Sequence, residues 1–337
     1  MKTSSICVRL SELGWTAVFA EQVTAAEHDL TPARIVGVHR NKLAVISVHG
    51  TADIALDVDE TTAQFAVGDW VLLDIPEARL VRRLERASLL QRRVEGQAEA
   101  QLAAANVDTL FIVTSCNADF NPARLERYLA IANEAGIKPV ILLTKADLVA
   151  DTHAYVDEAR ALQRDLSVLA LNARSSDAAM VLSPWCGKGR TVALAGSSGV
   201  GKSTLVNALS LAPQQVTGDI RESDAKGRHT TTARSLHEMT GGGWIIDNPG
   251  MRNLHVSHVA EGIDTTFAEI VELAADCKFR NCTHVREPGC AVQAAVIAGV
   301  LSDLRVNRWR KLSDENRKST PRQIGPRGNK RNGPAKY

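Results

Sequence analysis

Nine consecutive residues, Gly196-Ser197-Ser198-Gly199-Val200-Gly201-Lys202-Ser203-Thr204, have the make-up of a phosphate cradle. Val192-Ala193-Leu194-Ala195 before them reads as a buried strand, and Leu205-Val206-Asn207-Ala208-Leu209 after them has the spacing of a helix start. A glycine-rich turn between strand and helix aims backbone N–H groups and the positive helix end at one point, where a polyphosphate fits. Glycine lets the backbone come close and take up positive φ without a Cβ clash. In such a loop Lys202 reaches the β/γ-phosphates and Ser203 offers its hydroxyl to Mg²⁺. A chance match in a glycine-rich turn is the alternative, and the strand and helix on either side speak against it.

Two further motifs narrow the ligand. Trp244-Ile245-Ile246 reads as a strand that ends in Asp247-Asn248-Pro249-Gly250. Behind a phosphate loop, Asp247 would hold Mg²⁺ through a water, and the Gly250 N–H would sense the γ-phosphate. Thr144-Lys145-Ala146-Asp147 follows another buried strand, Lys138-Pro139-Val140-Ile141-Leu142-Leu143. This is a variant of the Asn-Lys-x-Asp base-reading motif of GTPases. A carboxylate at Asp147 accepts from both N1–H and N2–H₂ of guanine; adenine offers no such pair of donors, which argues against an ATP-dependent enzyme. The Lys145 stem can lie over the base. Thr144 stands where Asn is usual, so a reduced affinity or a substituted contact is expected, with guanine choice intact.

The order of these motifs is itself informative. In ordinary GTPases the phosphate loop comes first and the base-reading motif last. Here Asp147 precedes the loop by roughly fifty residues, and Asn172-Ala173-Arg174 falls where a second base-contacting loop belongs. The domain is therefore read as circularly permuted, a change that moves the chain ends and leaves the fold intact.

A second chemical centre follows, Cys277-x₄-Cys282-x-His284-x₅-Cys290. Three thiolates and one imidazole fill a tetrahedral Zn²⁺ site with no open position, which makes one structural zinc ion the expectation. Three free cysteines beside a histidine is the alternative. The remaining cysteines, Cys7, Cys116 and Cys186, are scattered.

The elements that position these residues can be read around them. Five short β-rich segments lie within 34–84, separated by glycine and polar turns, and imply a small barrel. An OB-fold is the leading candidate and an SH3-like barrel the rival. Trp70 and Phe65 are the nearby aromatics that could stack on bases, but core positions suit them better. From 107 to 246, strands alternate with helices at 123–134 and 154–165, the pattern of a doubly wound α/β sheet. Residues 291–312 read as one helix. The expected division is an N-terminal arm (1–30), a barrel (31–88), a GTPase domain (95–258), a helical zinc-binding domain (259–315) and a basic tail (316–337).

Of the 337 residues, 45% are hydrophobic and 23% charged, as in an ordinary soluble protein. No apolar run is long enough to span a membrane, and the N-terminus lacks a signal-like apolar stretch, so a cytoplasmic protein is expected. The net charge of +2 hides a segregation. From Asn316 to Tyr337 there are seven Lys/Arg and no acid, leaving 33 basic against 38 acidic residues elsewhere. A basic tail rich in Pro and Gly is expected to be disordered and suits a phosphate backbone, or serves solubility alone.

A permuted GTPase core flanked by an OB-like barrel and a Cys₃His module resembles the small ribosomal subunit biogenesis GTPase family, RsgA. Gly227-Arg228-His229-Thr230-Thr231-Thr232 looks like that family's switch I loop. The resemblance implies hydrolysis of GTP to GDP and phosphate, stimulated by the small ribosomal subunit late in its maturation, and rRNA contacts by the barrel and zinc modules. A monomer with no membrane partner is expected. Chemistry narrows the roles. Met251 follows Gly250 where many GTPases carry a water-orienting Gln, which methionine cannot replace. His229 is the candidate catalytic group, unless it is an ordinary loop histidine or an RNA contact. Thr230 or Thr231 is the further Mg²⁺ ligand. A rival reading makes the protein a nucleotide-gated rRNA-binding checkpoint whose hydrolysis is incidental.

Overall fold

The computed structural model describes residues 10–56, 61–92, 100–211, 235–248, 251 and 254–320. The N-terminal arm is a series of short turns that includes helix α1 (Ala17–Ala20). Its described part, residues 10–30, is packed against the barrel. Leu13 and Phe19 are buried, and the Trp15 ring meets Trp70 edge-on at 4.8 Å.

Five strands follow: β1 (Thr31–Val38), β2 (Lys42–Ser47), β3 (Gly50–Ala55), β4 (Trp70–Asp74) and β5 (Arg79–Arg83). Their order is β3-β2-β1-β4-β5, all antiparallel, with β3 approaching β5 across the seam. This is the partly open five-stranded barrel expected of an OB-fold. Along β2, Leu43, Val45 and Ser47 point inward and their neighbours do not, the period of two that the sequence shows. Trp70 and Phe65 are both buried, so neither is a stacking platform. Arg34 on β1 is also buried. It donates to the Leu13 carbonyl and to Thr191 Oγ1, both at 2.7 Å, tying arm, barrel and GTPase sheet together.

A hairpin that the sequence reading did not resolve comes next, β6 (Leu89–Arg92) paired with β7 (Gln101–Ala105). It lies between the domains. Ala105 N–H donates to Val67 of the barrel side, and His255 N–H donates to the Gln91 carbonyl.

The α/β domain runs β8 (Thr109–Ser115), α2 (Pro122–Glu134), β9 (Lys138–Thr144), α3 (His153–Arg160), β10 (Ser167–Ala170), α4 (Ala178–Leu182), β11 (Thr191–Ala195), α5 (Lys202–Leu209), β12 (Ser235–Glu238) and β13 (Trp244–Asp247). The strand order is β10-β9-β8-β11-β13-β12, parallel except for β12. The near-continuous apolar runs of β8, β9 and β11 are those of strands covered on both faces. Edge strand β12 is met by β1 at Gly37 opposite Ser235, which joins barrel and core into one sheet.

The C-terminal module contains α6 (Ala260–Thr266), α7 (Ala268–Ala275), α8 (Ala291–Ile297) and α9 (Asp303–Ser319). It is seated on α2. A Cβ on Gly262 would lie 2.0 Å from the Ala130 carbonyl, so glycine is what lets α6 lie this close. Arg305 of α9 is buried and donates to Glu126 (2.6 Å), Glu269 (2.8 Å) and the carbonyls of Leu162 and Thr266. Arg308 meets the same Glu126.

Two expectations need correction here. The helix over 291–312 is two helices, because Gly299 takes a left-handed φ of +72° and Ser302 restarts the chain at α9. The basic tail does not begin at 316 either. Asn316 Oδ1 accepts from the Val259 N–H and Ser257 donates to the Ser319 carbonyl, so this last turn is docked and helical. Residues 321–337 lie outside the described residues. No helix among the described residues is long and apolar enough to cross a membrane.

Candidate nucleotide site and metal cluster

The phosphate loop connects β11 to α5. Gly196 has φ +143°, and a Cβ there would sit 2.1 Å from the Val113 carbonyl of β8. Gly201, at φ +97°, is the N-cap of α5. These two positions demand glycine and turn the backbone into the helix. Ser198 and Gly199 are exposed at the rim, whereas Val200 is buried and anchors the loop to the core. Lys202 Nζ lies over the loop, 2.9 Å from the Gly196 carbonyl and against that of Ser197. Ser203 is exposed, with Thr204 beside it half-buried.

Parallel pairing brings the other motifs to the same edge. β8 pairs with β9 on one side and β11 on the other, and β13 pairs with β11. The carboxyl ends of these strands therefore carry Ser115, Thr144, the loop and Asp247 together, where α/β sheets bind ligands. A cleft of about 300 Å³ is lined by Ser115, Asn117, Asp119, Lys145 and loop residues 198–200. Lys145 holds a left-handed φ of +57°, and Asp147 is exposed beyond it.

Thr144 is fully buried. Its hydroxyl donates to the Val200 carbonyl at 2.6 Å, with the Thr114 carbonyl 3.1 Å away as an alternative acceptor. It thus fastens the phosphate loop to the base-reading strand. The side chain of Ala173 faces the same place, about as near to Gly201 as Thr144 is. Asn172 Oδ1 accepts from the Arg174 N–H, which shapes the second loop.

Asp247 lies opposite Ser235 in the β12–β13 ladder. Asn248 is buried and donates to the Ala103 carbonyl of β7 at 3.0 Å, so it binds the hairpin. Met251 is buried in the core. Gly250, His229 and Thr230, with the loop that carries the last two, lie outside the described residues.

The cysteine cluster forms as the spacing requires. The donor atoms of Cys277, Cys282, His284 and Cys290 all lie within 4.8 Å of one another. Cys277 Sγ is 3.8 Å from Cys290 Sγ, and His284 Nδ1 is 3.5 Å from both. A tetrahedron with metal–sulfur bonds of about 2.3 Å has edges of about 3.8 Å, so the four side chains fit one metal ion. N–H groups of Ala291 and Gln293, at the start of α8, point at Cys277 and Cys290 sulfur. Gln293 also holds the His284 carbonyl at 2.8 Å. Glu287 binds the turn by accepting from Thr283, Val285 and Arg286, and the bonds from Thr283 above all, then its own N–H and that of Val285, keep its carboxyl far below the usual range.

The RsgA GTPase family model matches residues 83–257, more than half of the chain. The chain belongs to the RsgA GTPase family. It is 63% identical over 325 residues to the small ribosomal subunit biogenesis GTPase RsgA of Mesorhizobium japonicum, covering 95% of this chain and 94% of the relative. A Vibrio vulnificus protein, small ribosomal subunit biogenesis GTPase RsgA 2, is 48% identical over 93% of this chain and 89% of its own. Among solved structures, YjeQ from Thermotoga maritima matches with a TM-score of 0.62 at 23% identity, over 85% of this chain and 98% of that one. YloQ, a circularly permuted GTPase, matches at 0.61 and 25%, over 89% and 99%. The permutation inferred from motif order is thus a property of the fold, and GTP hydrolysis is the family's activity.

Two features of this RsgA-family site escaped the sequence reading. One is the Ser115–Asp119 wall of the cleft. Its signal was a polar, turn-forming run, Asn117 to Asn121, at the end of a buried strand. The other is His237 on β12, whose Nε2 is 2.7 Å from Ser235 Oγ. Burial lowers its proton affinity, and the nearby Asp247 charge opposes this.

Proposed function

We propose that this protein hydrolyses GTP to GDP and phosphate on the small ribosomal subunit, late in its maturation, with the subunit stimulating hydrolysis and hydrolysis releasing the protein. The observation that carries this is the meeting of Asp147, the phosphate loop and Asp247 on one sheet edge, in a chain of this family. The printed names of the curated relatives supply the partner.

Residue roles follow from chemistry. Lys145 and Asp147 read guanine, and Thr144 holds their strand to the loop. Gly196 through Thr204 cradle the phosphates, with Lys202 on the β/γ oxygens. Ser203, Asp247 and Thr230 or Thr231 hold Mg²⁺, which neutralises charge building on the phosphates. Gly250 senses the γ-phosphate. With Met251 turned into the core, His229 orients the attacking water. Cys277, Cys282, His284 and Cys290 hold one Zn²⁺, which contributes folding energy to a module of small core. That module exposes Lys278, Phe279, Arg280 and Arg286 on its knuckle, with Lys278 Nζ 5.5 Å from the Phe279 ring centre. Cations around an open aromatic face suit an unstacked RNA base. The working division is arm 1–30, barrel 31–88, GTPase domain 95–258 and zinc module from 259, in a cytoplasmic monomer.

The test is GTP turnover with purified small subunits, large subunits serving as control. Small subunits alone should accelerate wild type, and His229→Ala should lose about 10²-fold or more of that stimulated rate. Equal stimulation by both subunits would refute the assigned partner, and equal stimulation of both variants would remove His229 from catalysis.

A further inference from the structure

Strand β13 carries the chain into the Asp247–Gly250 motif, and elements from the N-terminal part of the chain hold it along one face. Trp244 and Ile246 belong to the core shared with the barrel, and Ile245 to the core on the other side of the sheet, the period of two of a strand. Trp244 Nε1 donates to the Glu12 carbonyl of the arm at 2.7 Å. A Cβ on Gly68, in the turn before β4, would lie 3.3 Å from Ile246 Cδ1. Two residues on, Asn248 is buried and donates through Nδ2 to the Ala103 carbonyl at 3.0 Å.

Ala103 is the odd residue of the β6–β7 hairpin. Leu90 faces Ala104 and Gln91 faces Leu102, so Ala103 is the extra residue of a bulge and stands outside the ladder. Its carbonyl is the one Asn248 takes. The other strand of the hairpin meets the chain where it leaves the motif. Leu254 bridges to Arg92, and the His255 N–H donates to the Gln91 carbonyl at 3.1 Å. The hairpin therefore holds the chain on both sides of residues 249–253. It is itself fixed to the barrel side, because the Ala105 N–H donates to the Val67 carbonyl and Asn106 Nδ2 to that of Gly68, both at 2.9 Å. The exit is held by backbone, whereas the entry is held by one side-chain amide.

We propose that Asn248 is a positioning residue for the hydrolysis: anchored on the hairpin bulge, it fixes the end of β13, and with it Asp247 and the chain that leads to Gly250. This rests on the GTPase reading above. GTP depends on that placement more than GDP does, because the γ-phosphate is what the motif meets.

Affinities for GDP and for a non-hydrolysable GTP analogue are measured on the full-length protein, beside GTP turnover with small subunits. Asn248→Leu, similar in size and without a donor, should bind the analogue about five- to tenfold more weakly, keep GDP within about twofold of wild type, and lose about tenfold in kcat. Asn248→Thr, which keeps a donor, should stand nearer wild type in all three. If Asn248→Leu does not fold, Asn248→Ala carries the same expectation. Equal weakening of analogue and GDP would overturn the proposal, as a general loss of structure. So would an unchanged analogue affinity, and so would equal losses in the Thr and Leu variants, which would mark a packing role. Wild type that binds the analogue but hydrolyses no GTP with small subunits would overturn the proposed function instead, and the ratio of the two affinities would still test Asn248.

Discussion

The nucleotide cleft and the metal cluster are built by opposite means. The cleft gathers Ser115, Lys145 and Ser198 from the ends of three separate strands, and parallel strand pairing does the gathering. The cluster takes all four donors from fourteen consecutive residues, Cys277 to Cys290. Much of the cleft is backbone, so it tolerates exchange of side chains and even of segment order. Thr144 and Asn248 show this, each standing at a motif position where another residue is usual and each making a buried hydrogen bond. The cluster is side-chain sulfur and nitrogen, and a side chain without a ligating atom leaves the set of four incomplete.

The sharpest way to break the comparison is at the cluster. A structural zinc ion contributes about 10–16 kcal/mol to folding of a small module. Cys290→Ser should therefore lose the metal and the order of α8, read as zinc content and proteolysis, while GDP affinity changes less than about threefold because the cleft has its own core. Loss of GDP binding in parallel would mean that the two regions fold as one unit.

Their junction gives the next largest effect. Glu126→Ala strands the buried Arg305 and exposes Arg308, and breaking such a pair costs about 3–5 kcal/mol. A urea midpoint should show it. A loss under about 1 kcal/mol would mean that Glu269 and the Leu162 and Thr266 carbonyls are sufficient for Arg305.

Beside the cleft, Thr144→Val removes one hydroxyl and leaves the Val200 carbonyl short of a donor, a loss of about 1–3 kcal/mol. GTP and GDP should weaken alike, with Thr144→Ser retaining most of the affinity. The preference for GTP over ATP should not move, because Asp147 sets it. A fall in that preference would mean that Thr144 touches the base.

The same contrast explains what could be read in the sequence. The cluster was legible as ligand types at a fixed spacing, because local chain geometry alone closes it. The phosphate loop was legible for a similar reason, since Gly196 and Gly201 mark a turn that few other residues permit. The barrel strands and the α/β alternation showed through their periods of burial. What lay hidden depends on distant partners. Thr144 looked like a weakened base contact until Val200, 56 residues away, was seen to accept its hydroxyl. Gln101 to Ala105 has no alternation to mark a strand, yet pairing with β6 makes it one. The helix break at Gly299 was masked by apolar spacing that continues across it. Arg34 gave no sign that it joins three segments.

The smallest effect concerns the arm, which rings, an ion pair and the Arg34 bond to the Leu13 carbonyl tie to the barrel. Arg82 donates to Glu27 through Nε at 2.6 Å and Nη2 at 2.9 Å, and the Thr24 N–H adds a third bond. These hold the Glu27 carboxyl at about 2, down from 4.5. When the arm is detached the carboxyl binds a proton near 4.5, so between these values the detached state takes up more protons and docking strengthens as pH rises. The contribution is complete above about 4.5 and is lost as pH falls through about 2. Trp15, edge-on to Trp70, reports docking by fluorescence. Wild type should show a gradual change across that acid window, and Glu27→Gln a flatter one. Identical profiles would leave the aromatic contacts of Trp15 and Phe19 as the arm's main attachment, and would place the arm with the cleft, held by packing, rather than with the cluster, held by charge.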